Sequence, residues 1–166
     1  MRLELKDIIH VPDAQRAFRF QADLSGLEFY GRFPISRPVE AEGAVTNHAG
    51  ALVLEGTARS RLELVCDRCG AAFSREKTVS LDSLLAQELE DEENDDILLL
   101  DGTQLDLDEV VTTAFVLAMD TKILCSDDCR GLCPKCGANL NEGPCRCRPE
   151  RDPRWAALSQ LLDDPE

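Results

Sequence analysis

At 166 residues, with 43% apolar and only 5% aromatic side chains, the chain is sized for one compact domain with a small appended module, and its core must rest on Leu, Val, Ala and Ile. No stretch approaches the ~20 apolar residues of a membrane-crossing helix. Met1 to Asp7 alternates apolar and charged residues where a secretory signal needs a continuous apolar run, so a reducing, cytoplasmic setting is expected.

The first 85 or so residues carry strand signals. Arg2 to Ile9 alternates, and Phe18, Phe20, Ala22 and Leu24 recur at period two, the pattern of a half-buried strand. Around Gly26, Gly31 and Pro34 there is punctuation without period, which reads as a loop or a broken edge strand. Val39 to Val45 leads into Asn47-His48-Ala49-Gly50, residue types suited to a tight hairpin turn. Leu52, Leu54, Leu62 and Leu64 then return the chain to Cys66-Asp67-Arg68-Cys69-Gly70, and a further strand over 72–81 follows that reversal. Together these segments predict an antiparallel meander, open or barrel-like, over a first region 1–87.

A second region, 88–124, opens on an acidic block in which seven of the nine residues from Glu88 to Asp96 are carboxylates. The charge of the whole chain, −14, resides in this middle third: residues 1–79 balance 11 basic against 11 acidic side chains and 129–166 balance 6 against 6, whereas 80–128 sets 15 acidic residues against Lys122 alone. Such a block repels itself and stays solvated; it is either a plain solvated loop or a dock for a cationic partner, since an acidic surface repels phosphate backbones. Asp106 or Asp108 is placed to cap a helix with Leu107, Val110, Val111, Ala114, Phe115 and Ala118 on its apolar side. The third region, 125–166, is dense in Cys, Gly and Pro and then offers a short helix carrying Trp155, Leu158, Leu161 and Leu162. The fold class expected is α+β: an N-terminal antiparallel sheet, a helix and a Cys-rich zinc module.

The eight cysteines carry the chemistry. Zinc takes four tetrahedral ligands and favours thiolate, and two intervening residues let a tight turn aim two sulfurs at one ion. Cys133-Pro134-Lys135-Cys136-Gly137 has that form, and Cys145-Arg146-Cys147 follows after a Gly143-Pro144 turn, so Cys133, Cys136, Cys145 and Cys147 make one complete ligand set. Cys66 and Cys69 form a second pair, completed by Cys125 and Cys129; Cys129 stands four residues from both Cys125 and Cys133, which leaves exchange between the sets open. Two Zn²⁺ per chain, and at least one, are expected. Buried cysteines serving as core filler would not arrive in pairs, an iron–sulfur cluster would use the same ligands, and a redox dithiol needs one pair beside a βαβ unit that the pattern lacks. An enzyme is not supported: His10 and His48 have no nucleophile motif near them, no Gly-rich phosphate loop is present, and all-cysteine sites hold no water to activate. No small-molecule substrate is expected.

Cys66-Asp67-Arg68-Cys69 after a meander, an acidic stretch, the run Gly131-Leu132-Cys133-Pro134-Lys135-Cys136-Gly137-Ala138-Asn139-Leu140-Asn141, and Asp152-Pro153-Arg154-Trp155 resemble the YceD-like family, whose bacterial and plastid members are associated with accumulation of large-subunit ribosomal RNA. The resemblance implies a ribosome-biogenesis factor that meets ribosomal RNA, a basic large-subunit ribosomal protein, or both. For RNA contact the basic residues near the later cysteines are the candidates: Arg130, Lys135, Arg146, Arg148 and Arg154, beside Trp155, although these arginines would equally balance anionic metal–thiolate centres. For a basic protein the candidates are Glu88, Glu90, Asp91, Glu92, Glu93, Asp95 and Asp96. A zinc-releasing redox chaperone of the holdase type is the alternative from another functional class.

Overall fold

The computed structural model describes residues 1–88 and 97–147. The C-terminal helix expected around Trp155, and most of the acidic block, lie outside these residues. Within them the chain runs β1 (Arg2–Glu4), β2 (Gln15–Ala22), β3 (Val39–His48), β4 (Ala51–Val65), β5 (Ala72–Ser80), β6 (Ser83–Ala86), β7 (Ile97–Leu99), β8 (Gln104–Asp106) and α1 (Leu107–Ala118).

The spine is β4, whose 15 residues alternate so that Leu52, Leu54, Ala58, Leu62 and Leu64 point to the core. One edge, over Ala51 to Arg59, pairs with nearly all of β3, and β3 pairs in turn with β2, antiparallel throughout. The other edge serves two partners: β5 occupies Thr57 to Val65, and β6 occupies Leu52 to Leu54. Beyond β6 lies β7, paired parallel, with Leu84 opposite Ile97 and Leu85 opposite Leu98. The sheet is therefore open, with β2 and β7 at its margins, and mixed by one parallel pair. Close approach of β3 and β4 depends on two glycines facing each other. A β-carbon on Gly43 would lie 2.4 Å from the Glu55 carbonyl oxygen and 2.9 Å from the Phe18 ring, so the ring covers a site that only glycine leaves open.

The N-terminal segment is less extended than its alternation suggests. Only Arg2 to Glu4 is strand, paired with β8, and the chain then turns, with the Ile8 N–H donating to the Leu5 carbonyl. Leu5 and Ile8 are both buried, and a spacing of three is what a turn, not a strand, brings to one side. The β1–β8 pair delivers the chain to α1, where the Asp106 carboxylate accepts from the Asp108 N–H at 3.0 Å and caps the helix. The amino terminus pairs with Asp108 in the same turn, where negative charge also complements the helix dipole. Leu107, Val110, Val111 and Phe115 face inward, and Phe115 is among the largest fully buried side chains.

Asn47 holds the N-terminal segment to the sheet. It lies within β3, one residue before the strand's end, instead of in the turn itself; the turn residues are Ala49 and Gly50, both with positive φ (53° and 103°). The Asn47 side chain, 1% exposed, donates through Nδ2 to the carbonyls of Ile8 and Ile9, 2.8 Å each, and accepts from the Gly50 N–H at 2.7 Å. Asn47→Ala removes all three bonds and strands buried carbonyls, so it is expected to lower unfolding stability by about 3 kcal/mol. A urea midpoint unchanged from wild type would contradict that assignment.

Candidate metal centres

Both cysteine knuckles are built on one backbone plan. In the first, which closes the reversal between β4 and β5, the Gly70 N–H donates to the Cys66 carbonyl at 2.9 Å and the Cys66 N–H to the Ala71 carbonyl at 2.9 Å. In the second, Gly137 donates to Cys133 at 2.8 Å and Cys133 to Ala138 at 2.8 Å. The glycine after each second cysteine takes the left-handed conformation, φ 69° at Gly70 and 70° at Gly137. This geometry turns both sulfurs of a pair to one side, with backbone N–H groups directed at them.

The structure brings the eight thiols together as two sets of four: Cys66, Cys69, Cys125 and Cys129, and Cys133, Cys136, Cys145 and Cys147, the sulfurs of each set lying within 4.8 Å of one another. All are free. Sulfur separations of 3.7 Å for Cys66–Cys129 and for Cys69–Cys125 are too long for a disulfide, which bonds at about 2.05 Å. They match the edge of a sulfur tetrahedron about an ion bonded at ~2.3 Å, which is ~3.8 Å. The donor set and its spacing therefore fit a tetrahedral, thiophilic dication.

The thiols' acidity follows from the same arrangement. Burial opposes ionisation of Cys66, yet the N–H groups of Cys125, Cys69 and Arg68 bring its thiol down to about 6. The N–H groups of Cys136 and Lys135 do the same for Cys133, also to about 6. Burial together with the neighbouring Cys129, Cys66 and Cys69 thiols pushes Cys125 up to about 12. Hydrogen bonding with Cys136, then burial, lifts Cys147 to about 12. One sulfur in each set is thus ready to ionise at neutral pH while another resists, because four thiolates cannot accumulate in one place without a cation to offset them.

The first set ties the loop after α1 to the sheet, and several polar contacts reinforce it. Asp67 accepts the Ile123 N–H through its carboxylate at 2.6 Å and donates its own N–H to the Ile123 carbonyl at 2.8 Å. Arg68 donates to the Cys129 carbonyl at 2.8 Å, and Arg75 to the Leu124 carbonyl at 2.5 Å. Gly131 (φ 74°) lets the second knuckle lie against the first: a β-carbon there would stand 3.0 Å from the Arg68 carbonyl oxygen. Asn141 joins the sets. Its Nδ2 donates to the Cys129 sulfur at 3.5 Å while its Oδ1 accepts from the Arg130 N–H at 2.7 Å, although Asn141 itself lies in the loop between Cys136 and Cys145. Sequence reasoning assigned no role to Asn141, Asp67 or Arg68; the only signal was their place inside or beside the knuckles.

Of the basic residues near the later cysteines, Arg130, Lys135 and Arg146 are exposed around the second set, while Arg148 and Arg154 lie outside the described residues. In the acidic block Glu88 is exposed, and Glu90, Asp91, Glu92, Glu93, Asp95 and Asp96 lie outside them. Among the described residues no helix is long and apolar enough to cross a membrane.

The model of the family described as large ribosomal RNA subunit accumulation protein YceD matches residues 54–162, a span holding all eight cysteines. The chain belongs to the YceD family. An uncharacterised protein of Mycobacterium tuberculosis is 29% identical over 163 residues, covering 96% of this chain and 73% of its own length. A chloroplast homologue from Arabidopsis thaliana, named large ribosomal RNA subunit accumulation protein YCED homolog 1, is 27% identical, and the match covers 79% of this chain and half of that protein. The namesake from Zea mays is 26% identical over 68% of this chain and 49% of its own. No solved structure matches. The family match begins inside β4, so it takes in both knuckles, β5 to β8 and α1, and leaves β1 to β3 outside.

Titration with Co²⁺, whose thiolate charge-transfer bands report sulfur ligation, should saturate at two ions per chain. Cys133→Ser should lower the capacity to one and make the segment after Cys129 protease-sensitive, since its burial outside the clusters is slight. Saturation at one ion in the wild-type protein would refute the two-set geometry.

Proposed function

We propose that this chain is a non-enzymatic ribosome-biogenesis factor that supports accumulation of large-subunit ribosomal RNA in the cytoplasm, its fold completed by two structural zinc ions. The observation that carries the reading is the family match over both cysteine sets, joined to their chemistry. Four thiolates fill a tetrahedral ion, leaving no open position for water or substrate, so the metal would shape the protein and not perform catalysis. Each filled set would carry net charge −2, which adds to the acidity of the chain.

That acidity favours a basic large-subunit ribosomal protein over RNA as the direct partner. The 15 carboxylates of residues 80–128 would repel a phosphate backbone and draw a cationic protein, while Arg130, Lys135 and Arg146 offer only a small basic face beside the second set. Zinc is favoured as the ion because both knuckles are thiolate-only and tetrahedral in outline.

In cells lacking the protein, large-subunit ribosomal RNA should fall relative to small-subunit RNA, and the wild-type gene should restore the ratio. Changing four carboxylates between Glu88 and Asp96 to amides should leave thermal stability unchanged or raised, since self-repulsion falls, yet reduce crosslinking to ribosomal protein. Full crosslinking by the amide variant, with loss on neutralising Arg130, Lys135 and Arg146, would move the contact to RNA. An unchanged RNA ratio in the null strain would end the biogenesis reading.

A further inference from the structure

Between α1, the β5–β6 connection and β7 lies a groove of about 620 Å³ that the cysteine sets do not touch. Its floor is apolar, drawn from Val79, Leu81, Leu105 and Val110. Its lips carry two leucines that face solvent, Leu99 at 56% and Leu117 at 80% exposure. Single exposed apolar side chains are ordinary, but two unshielded leucines flanking one apolar cleft mark a surface meant to be covered. The charge around it is of one sign: Asp82, Asp101, Asp106 and Glu109 line the groove, and among the described residues no Lys, Arg or His does. Asp101 and Asp106 pair loosely with Arg2 at 3.7 and 3.8 Å. Asp82 and Glu109 have no ion pair among the described residues. The chain also enters and leaves the acidic block through β6 and β7, and Ser83 of the first and Leu98 and Leu99 of the second line this groove, so its wall adjoins the most negative stretch of the sequence.

We infer that this groove binds a basic, amphipathic polypeptide segment, placing apolar side chains of the partner between Leu99 and Leu117 and its Lys or Arg residues against Asp82 and Glu109. The inference rests on the reading above that a basic ribosomal protein is the direct partner, and assigns that contact a surface distinct from the acidic block itself. Charge decides among occupants. A second copy would bring a net charge of −14 to an acidic rim. The chain's own residues 148–166 hold three arginines against five carboxylates, so that segment is also repelled on balance. A cationic segment from another protein satisfies both the floor and the rim.

Two synthetic peptides of equal positive charge and helical spacing serve as probes, one with lysine and leucine, the other with serine in place of every leucine. By fluorescence anisotropy the full-length, metal-loaded chain should bind the leucine peptide about tenfold tighter than the serine peptide, as buried apolar anchors dominate such contacts. Leu99→Gln with Leu117→Gln should abolish that preference, and Leu117→Gln alone, at the more exposed position, should narrow it if the pair perturbs folding. Asp82→Asn with Glu109→Gln should weaken both peptides and flatten their dependence on salt. Equal binding of the two peptides, or a preference that survives the leucine variants, overturns the inference. So does a rise of about tenfold in peptide affinity on Trp155→Ser with Leu158→Ser, which would make the chain's own C-terminal segment the occupant. A concentration-dependent dimer abolished by Leu117→Gln overturns it equally, in favour of a second copy. If the leucine variants restore the RNA ratio fully and the peptides are not distinguished, the groove fails while the biogenesis role stands. If the preference holds in a protein whose loss leaves that ratio unchanged, the groove stands without that role.

Discussion

Sulfurs contributed by residues 63 positions apart in sequence sit 3.7 Å from each other in the first cysteine set, and that spacing constrains the path of the described residues after α1. Backbone N–H groups favour ionisation of Cys66, whose pKa falls to about 6, while burial and the neighbouring thiols oppose ionisation of Cys125, whose pKa rises to about 12. A dication removes the conflict by offsetting the charge. The described residues after α1 form no further helix or strand, and their buried apolar cluster is small: Cys66, Cys69 and Cys129, with Phe73, Leu124 and Cys125 packed against them. Hydrophobic burial of that size does not order a segment of this length against its conformational entropy. Beyond the packing of Met119 and Ile123 on the main core, ion-bound thiolate sets would supply that cohesion, and would give the hydrogen bonds of Asp67, Arg68 and Asn141 fixed partners to meet.

The same constraint explains the glycines and polar residues around the knuckles. Gly131 is needed because the second knuckle presses on the Arg68 carbonyl of the first, and its positive φ would strain any other residue as well. Asn141 contributes one side chain to both sets, donating to a sulfur in one while belonging to the loop of the other. The two sets are therefore connected through the hydrogen bonds of Asn141 to the Cys129 sulfur and the Arg130 N–H.

What the sequence made legible follows from how strongly each feature is patterned. β2 to β4 bury alternate residues over long runs, so period-two alternation locates them; β5, with only Val79 buried, is legible from its place after the Cys66–Gly70 reversal, and the helix signals at Asp106, Leu107, Val110, Val111 and Phe115 are equally plain. Cysteine spacing singled out the knuckles because two-residue gaps have few other uses. β7 and β8 are three residues each, too short for any period to register, and β1 is only the first three residues of the alternating segment Arg2 to Ile9; all three owe their existence to partners distant in sequence. The parallel pairing of β6 with β7 is likewise a tertiary outcome, since each strand alone is only a brief apolar run. Asn47 was read as a turn former by residue type; its burial and its reach to the Ile8 and Ile9 carbonyls depend on where the N-terminal segment returns, which no local pattern encodes.

Chain geometry also separates the metal-type sets from the acidic groove. β5 starts beside the first knuckle, where Phe73 packs on the cysteine cluster, and ends at Val79 and Ser80, which line the groove. Six to eight steps along a strand place the two regions on the order of 20–25 Å apart. At that distance solvent and salt screen charge–charge coupling between exposed groups to little. A partner drawn to the acidic end therefore need not disturb the thiolates, and loss of a cysteine ligand need not reshape the groove, which is built on the main core of β-sheet and α1. Coupling between the two ends would have to pass through packing. The direct route is the chain from the end of α1, where Leu117 and Ala118 line the groove, through Asp120, held at 3.3 Å by Lys77, to Ile123 and Leu124 at the knuckle.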